Sequence, residues 1–278
     1  MNRILCPVDF SSCSINAIEY AFEIGVKYNA HLTLLYVFTE DDFNKVLGED
    51  QPIKNFNELL AMAKERLKNL TEIIKSKNTQ GLVNCDYSVA LGEMPDRIIN
   101  YINDEEYNLV VLGTTGISKV TGVYVGSNAI KIIESSPVPV ICVPEQSRFQ
   151  GFDKVVYATD YNEEDRKAIQ DVISFATSFD SKVNVVHITH RDNSSNKKDY
   201  EEFVSDLGSF VQYDKLKFDY KVYPEELSAG MEEYLNESEA DMLVMLTHKR
   251  STLEKFFHRS MTRSMTYITN HPLMILKY

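Results

Sequence analysis

The sequence predicts an α/β protein made of two tandem open domains, each a five-stranded parallel sheet. Three observations carry that expectation. Short continuous apolar runs alternate with amphipathic helical patterns, as parallel strands covered on both faces require. The order of runs then restarts halfway along the chain: Lys154-Val155-Val156-Tyr157-Ala158-Thr159-Asp160 echoes the run from Arg3 to Asp9 at an offset of 151. The 278 residues suffice for two ordinary domains, and a 44% hydrophobic content supplies a core for each.

In the first half, Ile4-Leu5-Cys6-Pro7-Val8-Asp9 reads as a buried strand, and Ser11 to Ser14 offers N-cap residues for a helix carrying Ile15, Ile18, Ala21 and Phe22. Leu32 to Phe38 is the second strand. Residues 55–78 form a long polar helix with Leu59, Leu60, Ala63, Leu67, Leu70 and Ile74 on one face. Val83 to Leu91 alternates like a strand nearer an edge. Met94 to Asn103 is a helix, Asn108 to Gly113 a buried strand, Gly126 to Ser135 a helix, and Val138 to Val143 the last strand.

In the second half, Val183 to Thr189 echoes the second strand. Asp241 to Leu246 and His271 to Leu276 echo the fourth and fifth strands at an offset of 133. The fall from 151 to 133 means a loss of about 18 residues between the second and fourth strands, and the segment 39–54 is the expected place. Domains of 1–146 and 151–278 follow, joined by a linker around 146–151.

The formal net charge is −12, and each half carries −6, so charge does not separate the halves. An acidic chain argues against non-specific binding to nucleic acid and against an anionic membrane surface. No apolar run reaches the length of a membrane span, and the first residues lack a secretory pattern. Cys6, Cys13, Cys85 and Cys142 have no CxxC spacing, which suits buried reduced thiols in a cytoplasmic protein. Five of six histidines lie in the second half, but without cysteine or carboxylate at ligand spacing they make no metal site.

The chemistry-bearing stretch is Gly113-Thr114-Thr115-Gly116, nine residues, then Gly126-Ser127. It runs from the end of a buried strand to the start of a helix, where parallel sheets bind ligands. Glycines there permit positive φ and close approach of backbone to phosphate, and helix N–H groups with the helix dipole attract anions. There is no Walker GxxxxGK[ST], no HExxH and no GxSxG.

This pattern resembles the ATP-binding branch of the universal stress protein family, in its tandem form. The match covers nearly the whole chain in two copies, including Pro7-Val8-Asp9-Phe10-Ser11 and Pro137-Val138-Pro139-Val140. The resemblance implies a Rossmann-like, adenine nucleotide alpha hydrolase-like fold. It implies that Pro7, Asp9 and Val37 line the adenine and ribose pocket, with Gly113, Gly116, Gly126 and Ser127 holding the phosphates of ATP, with or without Mg²⁺. Read alone, Asp9 could equally cap the following helix. The resemblance further implies that the last strands of the two copies pair as an intramolecular pseudo-dimer, with a homodimer left open.

The second copy departs from the pattern. At the offset of 133, Gly113 becomes Leu246, Gly116 becomes Lys249, Gly126 becomes Arg259, and Ser127 becomes Ser260. Lys249, Arg259 and Ser260 make a candidate second anion site that would work by charge, against the plainer reading of a solvated basic helix end. The functional expectation is a nucleotide-dependent stress or regulatory protein with one ATP per chain. The alternatives are a slow ATPase and an interaction scaffold with a structural nucleotide; no catalytic residue is assigned.

Overall fold

The computed structural model describes residues 1–39, 56–78, 81–114, 126–224, 227–247 and 271–278. The side chains of Phe56 and Ser127 lie outside that description. The chain divides into two compact units, which part near residue 146.

Unit 1 has the element order β1 (Arg3–Pro7), α1 (Ser12–Tyr28), β2 (His31–Phe38), α2 (Phe56–Lys77), β3 (Asn84–Leu91), α3 (Met94–Asp104), β4 (Leu109–Gly113), α4 (Ser127–Ser135) and β5 (Val140–Val143). Its strands are parallel and lie in the order β3-β2-β1-β4-β5. The helices begin and end where local chemistry directs. Ser11 caps α1 by accepting a hydrogen bond from the Ser14 N–H, and Asn29 closes the helix in the left-handed conformation. Pro95 sits in the first turn of α3, where its missing N–H costs nothing. Helix α2 buries Leu59, Ala63, Leu67, Thr71 and Ile74, a stripe at helical spacing, against β2 and β3. Helix α1 packs on β1, β4 and β5, while α3 packs on α4.

Strands β1 and β2 are almost wholly buried, as their unbroken apolar runs require. Strand β3 ends one side of the sheet, and its burial alternates at its start before becoming intermediate, in keeping with an edge. All four cysteines are buried free thiols. Burial, and after it the neighbouring Cys13, pushes the Cys142 thiol up to about 12.

Unit 2 repeats the design with β6 (Lys154–Ala158), α5 (Asp165–Phe179), β7 (Lys182–Thr189), α6 (Ser194–Phe210), β8 (Leu216–Val222), α7 (Leu227–Glu237), β9 (Met242–Thr247) and β10 (Leu273–Lys277). The strand order is β8-β7-β6-β9-β10, all parallel. Strand pairing confirms the repeat residue by residue. Arg3 faces His31 as Lys154 faces Lys182, the offset of 151. Val110 faces Val140 as Leu243 faces Leu273, the offset of 133. The shortening falls between the second and third strands, because Leu32 faces Cys85 while Val183 faces Leu216. Part of it is visible in the helices, since α2 has 22 residues and α6 has 17. No described helix is long and apolar enough to cross a membrane.

Candidate functional site at the switch point of unit 1

In the order β3-β2-β1-β4-β5 the chain first builds leftward from β1 and later rightward through β4. The carboxyl ends of β1 and β4 therefore flank the topological switch point, where connecting loops diverge and leave a crevice. Asp9 follows β1, and Gly113 ends β4. The residues singled out by sequence thus arrive at one place from chain positions about a hundred residues apart.

The turn after β1 is tightly specified. Val8 N–H donates to the Leu35 carbonyl at 2.8 Å, keeping the chain in register with β2. Asp9 Oδ1 accepts from both the Ser11 N–H at 3.0 Å and the Ser11 hydroxyl at 2.6 Å. Ser11 Oγ in turn accepts from the Ser14 N–H at 3.2 Å. Asp9 is therefore the residue that orients the cap of α1, and its Oδ2 makes no hydrogen bond among the described residues. Both readings of Asp9 hold in part: one oxygen serves the helix cap and the other is left to face outward. Between Asp9 and Ser11, Phe10 adopts φ 63°, a conformation that a bulky side chain rarely takes.

The two described glycines of the motif play unlike parts. Neither has positive φ, so the expectation that they relax the backbone is corrected. A Cβ on Gly113 would stand 2.8 Å from both the carbonyl carbon and the Sγ of Cys13, and 2.9 Å from the Ser14 nitrogen. The space that glycine leaves there is filled by the first turn of α1. Cys13 Sγ completes that contact by donating to the Val143 carbonyl at 3.2 Å, and Asn16 Nδ2 donates to the Pro144 carbonyl at 2.8 Å. Gly113 is thus a packing glycine that brings α1 onto β4.

Gly126 is the N-cap of α4, at φ −64° and ψ 148°, which any residue adopts. Among the described residues a Cβ there would meet only the Thr114 carbonyl oxygen, at 3.5 Å, an ordinary contact. No side chain caps the helix and no acidic residue stands in its first turn. The Gly126 N–H donates to the Thr114 carbonyl at 2.6 Å, and Thr114 N–H donates to the Val143 carbonyl at 3.1 Å. Those two bonds fasten the start of α4 directly beyond the end of β4. Its first N–H groups and the positive end of its dipole therefore lie on the carboxyl-end side of the sheet, with no side-chain acceptor among the described residues.

Pro7 is buried at the end of β1, opposite Leu35. Val37 is buried in β2, opposite Ala90. Ser127 opens α4. Gly116, Lys249, Arg259 and Ser260 lie outside the described residues.

Sequence reading missed the aromatic and basic wall beside Asp9. The Phe10 ring packs on Tyr36 with centroids 5.0 Å apart, and the Arg66 guanidinium carbon lies 4.1 Å above the Phe10 ring. The available signal was the aromatic after Asp9 recurring as Tyr161 after Asp160.

Unit 2 rebuilds the same turn differently. Leu246 occupies the register position of Gly113 and is buried. Helix α5 begins at Asp165, the equivalent of Ser14, two positions later than α1 in the shared register. Asp165 is 1% exposed, and its carboxylate accepts from the Tyr157 hydroxyl at 2.6 Å, the Thr159 hydroxyl at 2.5 Å and the Asn162 N–H at 3.0 Å. Burial raises its pKa above the ordinary carboxylate value, against those three bonds. Asp160 stands where Asp9 does but is exposed and makes no hydrogen bond among the described residues. The ordering of this turn has passed from the strand-end aspartate to Asp165, while α5 itself starts without a side-chain cap. Among the described residues no three His, Cys, Asp or Glu side chains converge as a metal site.

A universal stress protein family model matches residues 1–144 and again 151–277. Single-copy relatives align with about half of this chain. A universal stress protein of Methanocaldococcus jannaschii is 24% identical over 147 residues, covering 52% of this chain and 84% of its own length. Universal stress protein YxiE of Bacillus subtilis is 26% identical over 145 residues, covering 51% and 98%. Among solved structures, a universal stress protein from Archaeoglobus fulgidus matches with a TM-score of 0.74 at 16% identity, over 99% of this chain and 96% of that one, a likeness of fold. Two consecutive family matches, in step with the repeated strand registers, make this chain a tandem member of the universal stress protein family.

Proposed function

We propose that unit 1 binds an adenine nucleotide, ATP, at the switch point between β1 and β4, and that the protein acts as a nucleotide-dependent regulatory protein of the stress response. The observation that carries this reading is the start of α4. Among the described residues Gly126 is demanded there neither by backbone conformation nor by packing, and it starts α4 without a side-chain cap, just beyond the carboxyl end of β4. A phosphate supplies the missing acceptor and the negative charge that the helix end favours. Asp9 Oδ2 is then the acceptor for a ribose hydroxyl, held in place by the Ser11 bonds to Oδ1. Where Mg²⁺ accompanies the phosphates, it would be held chiefly by phosphate oxygens and water, since a phosphate-bound Mg²⁺ needs few protein ligands and Asp9 is engaged by Ser11 and the ribose.

Unit 2 takes no ATP in this reading. Leu246 replaces the glycine that admits α1, and Asp165 places a carboxylate of the chain itself at the helix start. A second anion there would meet that buried charge. Hydrolysis is at most slow, because the assigned residues bind and orient and none is placed as a base for an attacking water.

The test is titration of the full chain with labelled ATP, alongside mass spectrometry of nucleotide that co-purifies. One site per chain, weakened about tenfold or more by Asp9→Ala, is expected. No binding, or two equivalent sites, overturns the reading.

A further inference from the structure

We propose that the Arg66 guanidinium stacks on the base of the nucleotide held by unit 1, forming with Phe10 the outer wall of the base subsite. This rests on the nucleotide-binding reading above and assigns a residue that neither the glycine motif nor the strand-end motif contains.

The argument starts from a strained backbone that occurs twice. Phe10 at φ 63° and Tyr161 at φ 61° are equivalent across the two copies, each directly following the strand-end aspartate. A left-handed conformation is strained at a bulky residue, so its repetition points to a required ring placement. In both copies the ring turns onto the second strand: Phe10 onto Tyr36, and Tyr161 onto His187, the equivalent of Tyr36.

The two copies then differ in what covers that ring. In unit 2, Phe203 of α6 packs on Tyr161 at 5.0 Å, while His187 stacks on it at 4.2 Å, so aromatic rings cover the half-buried Tyr161 from both elements. In unit 1, the helix after the second strand offers Arg66 instead, with its guanidinium 4.1 Å from the Phe10 centroid and its side chain exposed. The guanidinium lies over the Phe10 ring, and among the described residues no second aromatic ring meets it. Guanidinium accepts such stacking on both faces because it is weakly hydrated and delocalised.

Position decides which part of the nucleotide Arg66 meets. Helix α2 packs on β2 and β3, and Phe10 leans on Tyr36 of β2, next to Val37. Gly113 and Gly126 belong to β4 and α4, on the other side of β1. A nucleotide with its phosphates at α4 and its ribose at Asp9 has its base directed toward β2, on the Arg66 side.

The experiment is calorimetric titration of the full chain with ATP, AMP and inorganic tripolyphosphate, for the unchanged protein, Arg66→Ala and Arg66→Met. Methionine keeps an apolar stem over Phe10 without the planar cation, and Arg66 is exposed, so both variants are expected to melt with the parent. The expected result is the same loss for ATP and AMP, about 3- to 30-fold, with tripolyphosphate binding unchanged. A loss for ATP much larger than for AMP makes Arg66 a phosphate contact and overturns the inference. Unchanged affinity for both nucleotides also overturns it, while the nucleotide-binding reading stands. If the unchanged protein binds neither nucleotide, that reading falls first and this inference with it.

Discussion

Gly113 lies against Cys13 so closely that a Cβ on the glycine would stand 2.8 Å from the cysteine Sγ. The contact joins the end of β4 to the first turn of α1, and backbone atoms of Cys13 and Ser14 share it, so side-chain rotation alone cannot relieve a clash. Gly113→Ala is therefore expected to destabilise unit 1 by about 1–3 kcal/mol, the usual cost of overpacking. Gly126→Ala meets only an ordinary contact and is expected to change stability by less than about 1 kcal/mol, the scale of an N-cap exchange. The two variants should separate in the opposite sense for ATP, with Gly126→Ala losing affinity at nearly unchanged unfolding. Chemical denaturation and nucleotide titration on the same samples check both halves.

That contrast marks the limit of what a sequence pattern conveys. The strand runs and the offsets of 151 and 133 were legible because apolar periodicity and repetition depend on local spacing, whereas the grouping of Asp9 with Gly113 and Gly126 came from the family resemblance. The different duties of the two glycines were not. Gly113 is demanded by a helix a hundred residues earlier in the chain, and no spacing rule reports which backbone fills the place of an absent Cβ. Arg66 escaped for a similar reason: on α2 it reads as one more charge on a polar helix face, and only the turned-back Phe10 ring gives it a role. Asp165 carries no signal in the sequence, and only its burial with the Tyr157 and Thr159 hydroxyls makes it the organiser of its turn.

Tyr161 supplies a second prediction. Its hydroxyl is buried without a hydrogen-bond partner among the described residues, while its ring is held by His187 and Phe203. An unpaired buried hydroxyl costs about 1–3 kcal/mol, so Tyr161→Phe is expected to stabilise unit 2 by about 1 kcal/mol through removal of that group alone. Equilibrium denaturation measures it, and a loss of stability would show that the hydroxyl has a partner in solution.

Asp165 predicts a pH dependence of defined sign. Its native pKa is raised, chiefly by burial, so the folded state favours the protonated form more than the unfolded state does. The stability this group contributes is complete below the ordinary carboxylate value of 3.8 and declines as pH rises through the higher native value. Asp165→Asn removes that decline, so the stability difference between parent and variant should shrink and then reverse toward the variant with rising pH. Asp165→Ala instead strands the Tyr157, Thr159 and Asn162 donors together and is expected to cost about 2–4 kcal/mol at acidic pH, a cost that shrinks as pH rises through the native value of Asp165.

His271 gives the opposite limb. Burial lowers its pKa below 6.5, with Asp241 pulling the other way, and its Nδ1 is buried without a partner among the described residues. The unfolded chain therefore takes up the proton first as pH falls. Stability contributed by neutral His271 is complete above 6.5, is lost as pH drops from there to the lowered native value, and levels off below it, at about 1.4 kcal/mol per unit of difference. His271→Leu abolishes that component, so unfolding free energies of the variant should be flatter across this window. Nuclear magnetic resonance titration of the ring protons provides the direct check, because a His271 midpoint at or above 6.5 in the folded protein would remove the basis for the whole effect.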